Sequence, residues 1–213
     1  MSHPRRVLQS LLLLFAITLL AFPSPARAWE GSEVPPLDEF IEAITNGEAN
    51  ELRGIYASDV FAFSVVSQPD GNPAFVSTQP DILTRFDAAS HYDTTGLLAH
   101  NYLAGESFSL LEEGQLIYLI YGDGKIETYI VREFMRFQAL DSNSLTSDFV
   151  DLESGERISS TRLFFQVFNR PGGLTLQTCI NADGNLSWGR LFIIAEPLND
   201  DAPISMPHRL KFY

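Results

Sequence analysis

Cysteine, basic residues and long apolar runs are all scarce in this chain. Its 213 residues include one cysteine, so an internal disulfide is excluded. Lysine and arginine number 14 against 27 aspartates and glutamates, a formal net charge of -13 at pH 7. So acidic a chain is a poor candidate for binding nucleic acid or anionic lipid, which attract basic patches. No second apolar run follows the N-terminal one, and no internal repeat is visible, so we expect a protein that is soluble or tethered only at its N-terminus.

Residues 1–28 predict an export signal. Two arginines precede the apolar run 7–22, and an Ala-Arg-Ala cleavage signal ends at Ala28. The run is short for a spanning helix, which needs about 20 residues, and this favours cleavage after Ala28. The alternative is an uncut N-terminal anchor, which would be the protein's only contact with a membrane. Either way, the predicted location is outside the cell or at its surface.

The rest of the chain predicts a single β-rich domain. Residues 29–53 are interpreted as a linker and a short amphipathic helix, 54–198 as the domain, and 199–213 as a polar tail. Short runs of aromatic and β-branched residues separated by turns are typical of a small closed barrel or sandwich. The clearest hairpin has strands at 115–121 and 125–131, on either side of Gly-Asp-Gly.

Several shorter elements are also predicted. A serine cap and an apolar face predict a helix over 159–168. Residues 75–78 and 96–99 are each predicted to form a short strand. By contrast, 81–90 is expected to be irregular or a short helix, and 141–156 a polar connection.

The only cysteine, Cys179, lies near the end of a strand-like run, 174–180. The polar cluster 181–185 predicts a turn, and a second apolar run begins just past Arg190. A hairpin of this kind would make Cys179 and Arg190 near neighbours. A thiol with a pKa of about 8.5 attacks acyl carbons only as thiolate, and a nearby cation favours the thiolate or stabilises the oxyanion. The alternative is an inert buried cysteine beside a surface arginine.

Such a cysteine also needs an acid or base, normally histidine. Of four histidines, His3 lies in the export segment and His208 in the tail. His100 ends an apolar strand, where a side chain can emerge at a barrel rim, whereas His91 lies in a polar segment. We therefore prefer His100, with a core histidine bonded to backbone as the alternative.

The T-L-Q-T-C segment at 175–179 resembles the T-L-x-T-C signature of sortases, the cysteine transpeptidases of bacterial surfaces. Sortases carry an arginine at the start of the strand after that cysteine, and Arg190 fits. They also carry a histidine well upstream at the end of an earlier strand, which the G-L-L-A-H-N segment at 96–101 resembles. The similarity runs from about Gly54 to Pro197.

The resemblance implies a mostly β fold, a closed eight-stranded barrel with short connecting helices. It also implies that Cys179 cleaves a peptide bond in the sorting motif of an exported protein and forms a thioacyl intermediate. His100 would move the proton, Arg190 would hold the carbonyl or oxyanion, and Thr178 is a secondary oxyanion candidate. An amine of the cell wall or of a surface protein would accept the acyl group; with water as acceptor the enzyme would be a peptidase.

No cofactor or metal is expected. The 181–185 segment faintly resembles part of a calcium loop, but it is truncated and lacks the terminal glutamate, so a plain turn is preferred. Calcium is disfavoured rather than excluded, since some sortases use it. The rival interpretation is a non-catalytic exported β domain that binds peptide or glycan and has kept a sortase shell. An exposed, reactive Cys179 would separate the two, because a buried structural thiol stays silent in the folded protein.

Overall fold

The computed structural model describes residues 34–144 and 146–198. The predicted export segment, the start of the linker and the predicted tail 199–213 lie outside the described residues. Among the helices that are described, none has the length and apolar character needed to cross a membrane.

Ten strands and four short helices make up the described chain. The strands are β1 (Leu52–Ala57), β2 (Phe61–Ser67), β3 (Ile82–Arg85), β4 (Thr95–Leu98), β5 (Leu116–Tyr121), β6 (Ile126–Ala139), β7 (Phe149–Asp151), β8 (Arg157–Ile158), β9 (Leu174–Ala182) and β10 (Asn185–Pro197). The α-helices are α1 (Leu37–Ile44), α2 (Asp87–Ser90) and α3 (Ser160–Phe168), and a 3-10 helix spans Ala104–Leu110.

Eight of the strands close into a barrel, in the order β10-β9-β4-β3-β2-β1-β5-β6, with β6 pairing back onto β10. Closure depends on β6, whose 14 residues are long enough to pair with β5 at one end and β10 along the rest. Strands β7 and β8 extend outward from β6 as a small ribbon. The predicted fold, a mostly β closed eight-stranded barrel with short helices, is confirmed.

Alternation along the strands separates an inner core from an outer layer. In β10, Leu191 and Ile193 belong to the core inside the barrel. Phe192 and Ile194 belong to a second cluster outside it, together with Val167 of α3. The serine cap predicted for this helix is present, since the Ser159 hydroxyl accepts the Arg162 N–H at 3.3 Å. Helix α3 therefore covers the outer face of the barrel beside β10.

The two ends of the barrel differ. We call the end reached by the C-terminal residues of β4 and β9 the plugged end, because the 3-10 helix closes it. Phe108 of that helix is fully buried in the inner core, with its ring centroid 6.1 Å from that of Phe61. We call the opposite end the mouth. Polar side chains from the ends of β3, β5 and β6 line it, among them Arg85, Tyr121 and Glu127.

Helix α1 packs on the outside of β1 and β5, at the residues where the sequence predicts a short amphipathic helix. The Phe40 and Tyr56 rings lie 6.0 Å apart, and both pack with Ile120. The Tyr56 hydroxyl donates to the Pro35 carbonyl at 3.0 Å, which fixes the entry to the helix.

One predicted element is wrong, and two other segments contain a strand that was not predicted; in 81–90 the strand precedes the expected short helix. Residues 75–78 form no strand; instead the Ser77 amide donates to the Thr84 hydroxyl at 2.8 Å. The 81–90 segment contains β3 before α2, and β3 is held by parallel pairing with β2. The 141–156 connection contains β7, which β6 recruits. In the last two cases, pairing with another strand decides the outcome over local preference.

The mouth contains a hydrogen-bonded carboxylate. The Tyr121 and Tyr129 hydroxyls donate to Glu127 Oε2 at 2.9 Å and 3.1 Å, and Lys125 Nζ lies 2.7 Å from Oε1. Burial by itself would raise the pKa of Glu127, but the hydrogen bonds from Lys125 and Tyr121 and the charge of Lys125 outweigh it, and the pKa lies below its usual value. Burial raises the pKa of both tyrosines, so their hydroxyls stay protonated and donate.

Replacing this carboxylate should change how stability depends on pH. The unfolded pKa of glutamate is about 4.3. Because the folded pKa of Glu127 is lower, its contribution is present above the unfolded pKa and is lost as pH falls through the folded one. We expect Glu127→Gln to lower the melting temperature at neutral pH, with the difference from wild type closing at acidic pH. Thermal unfolding of both proteins from neutral to acidic pH measures this difference in melting temperature.

The matched control is Glu196→Gln, which removes an exposed carboxylate paired with Arg132 on the surface. This variant should melt close to wild type throughout, because exposed ion pairs contribute little. If the melting temperature of Glu127→Gln lay below that of wild type by the same amount at every pH, the contribution of Glu127 to stability would not depend on its charge.

Candidate active site

The β9–β10 hairpin brings Cys179 and Arg190 together as register partners. Its tight turn is Asp183 and Gly184, both with positive φ, 53° and 74°. Two left-handed residues in a two-residue loop match the twist of the flanking strands, which explains the Asp-Gly pair. Residues directly opposite in an antiparallel ladder point to the same face, so the thiol and the guanidinium share one side of the sheet.

That shared side is the outer face of the barrel. Along β9, Leu174 and Leu176 lie in the inner core, so the alternate residues Gln177 and Cys179 face outward. The thiol of Cys179 is free and half-buried. It is therefore outside the core cluster, in contrast to the usual position of an inert buried cysteine.

His100 reaches the same level from the neighbouring strand. Strand β4 runs parallel to β9, with Leu98 opposite Gln177. The Ala99 amide continues the ladder by donating to the Gln177 carbonyl at 3.1 Å. His100 lies two residues past Leu98 and Cys179 two past Gln177, so both fall at the plugged end at one level. The His100 ring is half-buried and stacks on the exposed Tyr102 ring at 5.2 Å.

The loop after His100 is tied to the hairpin that carries Cys179. The Asn101 side-chain amide donates to the Leu186 carbonyl at 2.9 Å. The His100 carbonyl accepts amide hydrogen bonds from Leu103 and Gly105, both at 3.0 Å. These bonds fix the backbone that positions the imidazole relative to the thiol.

Gly105 permits a close approach in this loop. A Cβ atom at this position would lie 2.8 Å from the His100 carbonyl oxygen and would clash with the Thr178 hydroxyl. Only glycine therefore allows the loop to pack directly onto β9. Sequence reasoning missed both Asn101 and Gly105. The only signal for Asn101 was its place next to the histidine, and Gly105 gave none.

Arg190 is held by the backbone of its own strand. Its Nη1 group donates to the carbonyls of Ser187 and Gly189, at 3.1 Å and 2.8 Å. A register shift between Asn185 and Gly189 bulges the strand and presents these carbonyls. Within the described parts of the chain, no carboxylate forms an ion pair with Arg190. Its charge and remaining N–H donors are thus available to a bound carbonyl or oxyanion.

Thr178 differs from the other three predicted residues. Its side chain is buried on the inner side of β9, and its hydroxyl has no hydrogen-bond partner within residues 34–144 and 146–198. Alternation along the strand turns this hydroxyl away from the thiol of Cys179. Any contribution of Thr178 to an oxyanion site would therefore come from its backbone.

The polar cluster at 181–185 forms the hairpin turn, with β9 extending to Ala182 and β10 starting at Asn185. Across the part of the chain that the structure describes, no group of three or more histidine, cysteine, aspartate or glutamate side chains is arranged to hold a metal ion.

Together, the fold and the site define a closed eight-stranded barrel with cysteine, histidine and arginine at one end. Neither a family model nor a curated protein matches the sequence. Similar solved structures include sortase C-1 from Actinomyces oris, with 15% identity, coverage of 80% of this chain and 85% of that one, and a TM-score of 0.45. Sortase C1 from Streptococcus suis has 13% identity, coverage of 76% and 78%, and a TM-score of 0.47. Sortase A from Listeria monocytogenes has 13% identity, coverage of 70% and 88%, and a TM-score of 0.43.

The unpartnered hydroxyl of Thr178 leads to a stability prediction. Because a buried hydroxyl without a partner loses its hydrogen bonds to water on folding, Thr178→Val should raise the free energy of unfolding by about 1 kcal/mol. Urea unfolding measures this change.

The reactivity of Cys179 towards a small alkylating agent should stay unchanged in Thr178→Val, because the hydroxyl and the thiol lie on opposite faces of β9. The control Thr128→Val changes a half-buried threonine at the mouth. Loss of stability in Thr178→Val would mean that the hydroxyl has a partner after all.

Proposed function

We propose that this protein is a sortase-like cysteine transpeptidase that acts outside the cell. The observation that carries the proposal is the pairing of Cys179 with Arg190, in a strand that reads T-L-Q-T-C, beside a parallel strand that ends at His100. The proposed substrates are an exported protein with a sorting motif and an amine of the cell wall or of another surface protein.

The chemistry starts at Cys179. Its thiolate attacks the carbonyl carbon of a peptide bond in the sorting motif, and the electron pair moves to the carbonyl oxygen. When the C–N bond breaks, protonated His100 gives its proton to the leaving amine, and a thioester to Cys179 remains. The incoming amine then attacks the thioester, neutral His100 takes the proton from that amine, and the Cys179 thiolate is released.

Arg190 suits the task of stabilising the oxyanion. It lies directly across the ladder from Cys179, on the same face, and its guanidinium is oriented by the carbonyls of Ser187 and Gly189. A donor that is already oriented needs little reorganisation when charge develops on the oxygen. Because arginine stays charged at all physiological pH values, it serves both the attack and the resolution step.

A direct test is to incubate the full chain with a pooled library of sortase-type sorting peptides and to record the intact mass. We expect a covalent adduct that maps to Cys179 and is released when an amine such as triglycine is added, since an amine resolves a thioester. Cys179→Ala should form neither adduct nor product while remaining folded.

Release by water alone would indicate a peptidase that uses the same intermediate. If no adduct forms, and Cys179 of the folded protein also resists a small alkylating agent, the proposed transpeptidase function is wrong. The non-catalytic peptide- or glycan-binding domain would then be the better interpretation.

The roles of His100 and Arg190 can be separated from structural effects with matched variants. We expect His100→Gln to lower the transpeptidation rate by about 10²–10⁴-fold, the usual contribution of general acid–base catalysis. Arg190→Lys should lower kcat by about 10²–10³-fold, because a point charge cannot copy the guanidinium fork. Initial rates of peptide transfer measure both effects.

The controls are His91→Gln and Arg132→Lys. His91 is exposed next to α2, and Arg132 forms a surface ion pair with Glu196 at 3.0 Å. Both variants should keep wild-type rates. Equal losses in His91→Gln and His100→Gln would contradict the assignment of His100.

A further inference from the structure

The mouth of the barrel contains a cavity, at the opposite end from Cys179. It has a volume of about 650 Å³ and is lined mainly by polar residues at the ends of the strands. This volume lies within the usual range for small-molecule sites, and the mouths of β-barrels are common locations for them. An eight-stranded barrel is wide enough to hold one small ligand.

Arg85 supplies a positive group in this cavity. It is the last residue of β3 and lies two residues past Leu83, which is fully buried in the inner core. Residues two apart in a strand share a face, so Arg85 faces the barrel interior. Its Nε atom is buried and has no hydrogen-bond partner within residues 34–144 and 146–198. Nor does any carboxylate of those residues form an ion pair with it. A buried Nε–H group without a partner is costly, and a carboxylate bound in the guanidinium fork would satisfy it.

Glu127 supplies a negative group on the facing wall. In the closed ring, three strands separate β3 from β6 in either direction, so Arg85 and Glu127 lie on opposite walls. Glu127 accepts hydrogen bonds from Tyr121, Tyr129 and Lys125. An ionised carboxylate has about four acceptor positions, so it retains capacity for one more donor. The carboxylate of Asp93 also lines the cavity.

This separation of charge selects among ligands. A simple anion would meet Arg85 but would be repelled by Asp93 and would leave the free acceptor position of Glu127, already paired with Lys125, without a donor. A simple cation would meet those carboxylates but would be repelled by Arg85. A molecule with a carboxylate at one end and an ammonium group at the other satisfies both walls.

We propose that the mouth binds a small zwitterion, either a free amino acid or a short peptide with free termini. Its carboxylate binds the Arg85 guanidinium, and its ammonium group donates to Glu127. The hydroxyl of Thr95, which lines the cavity and shares the inward face of β4 with Leu97, binds the polar atoms between the two ends. The proposal does not depend on the function of Cys179, which lies at the other end of the barrel.

The test uses the full chain and saturation-transfer NMR with two probe mixtures, the twenty free amino acids and their glycyl dipeptides. We expect saturable binding of at least one probe. The best binder is then compared by calorimetry with its N-acetylated and its C-amidated forms. Each blocked form should bind at least about tenfold weaker, because each loses one charged contact.

Variants locate the site. Arg85→Gln and Glu127→Gln should each weaken binding by at least about tenfold. Arg132→Gln, at an exposed surface pair, and Cys179→Ala, at the other end, should bind the probe like wild type. Even if Arg85→Gln does not fold, the comparison of free and blocked ligands on the wild-type protein shows whether binding needs both charged ends of the ligand.

The proposal is overturned if no probe binds saturably, or if the blocked forms bind as well as the free one. Equal binding by folded Arg85→Gln also overturns it. Loss of binding in Cys179→Ala would indicate that the ligand binds at the candidate active site. This result would also contradict a separate site at the mouth.

Discussion

Pairing of β10 with β9 on one side and with β6 on the other holds this structure together. These two ladders use the backbone groups of β10 on both edges, so the strand has no free edge and its alternating side chains divide cleanly between the inner core and the outer layer. The same ladder sets Arg190 opposite Cys179. Barrel closure and the pairing of Cys179 with Arg190 therefore both depend on β10, one through its ladder with β6 and the other through its ladder with β9.

The register also decides which face of the sheet carries Cys179. A slip of one residue in β9 would turn Cys179 into the barrel and Thr178 out of it, since successive strand residues point to opposite faces. Leu174 and Leu176 oppose such a slip, because it would turn both side chains out of the inner core. Gly105 packs so closely against Thr178 that a Cβ atom would clash with the hydroxyl. An unpartnered buried hydroxyl is the cost of this tight contact. The inner face of β9 thus stabilises the geometry that the outer face uses.

The two ends of the barrel are finished in different ways. The plugged end is filled by Phe108 and the rest of the 3-10 helix, which supports the loop that carries His100. The mouth is instead lined by charged and hydroxyl groups and leaves a cavity of about 650 Å³. The barrel therefore provides two separate surfaces, one that carries Cys179 and Arg190 on an outer face and one that holds opposite charges apart. Both rely on the same core for their rigidity.

The sequence by itself determined the local features of this protein. The Asp-Gly turn, the T-L-Q-T-C strand and the serine cap of α3 are set by short-range conformational preferences, and they were sufficient to predict the hairpin of Cys179 and Arg190. Only the tertiary structure decided which distant strands pair. The four-residue β3, the bond from Asn101 to Leu186 and the facing charges of Arg85 and Glu127 all depend on contacts far apart in the chain. Local sequence carries no signal for such contacts, because they are stabilised by closure of the whole barrel.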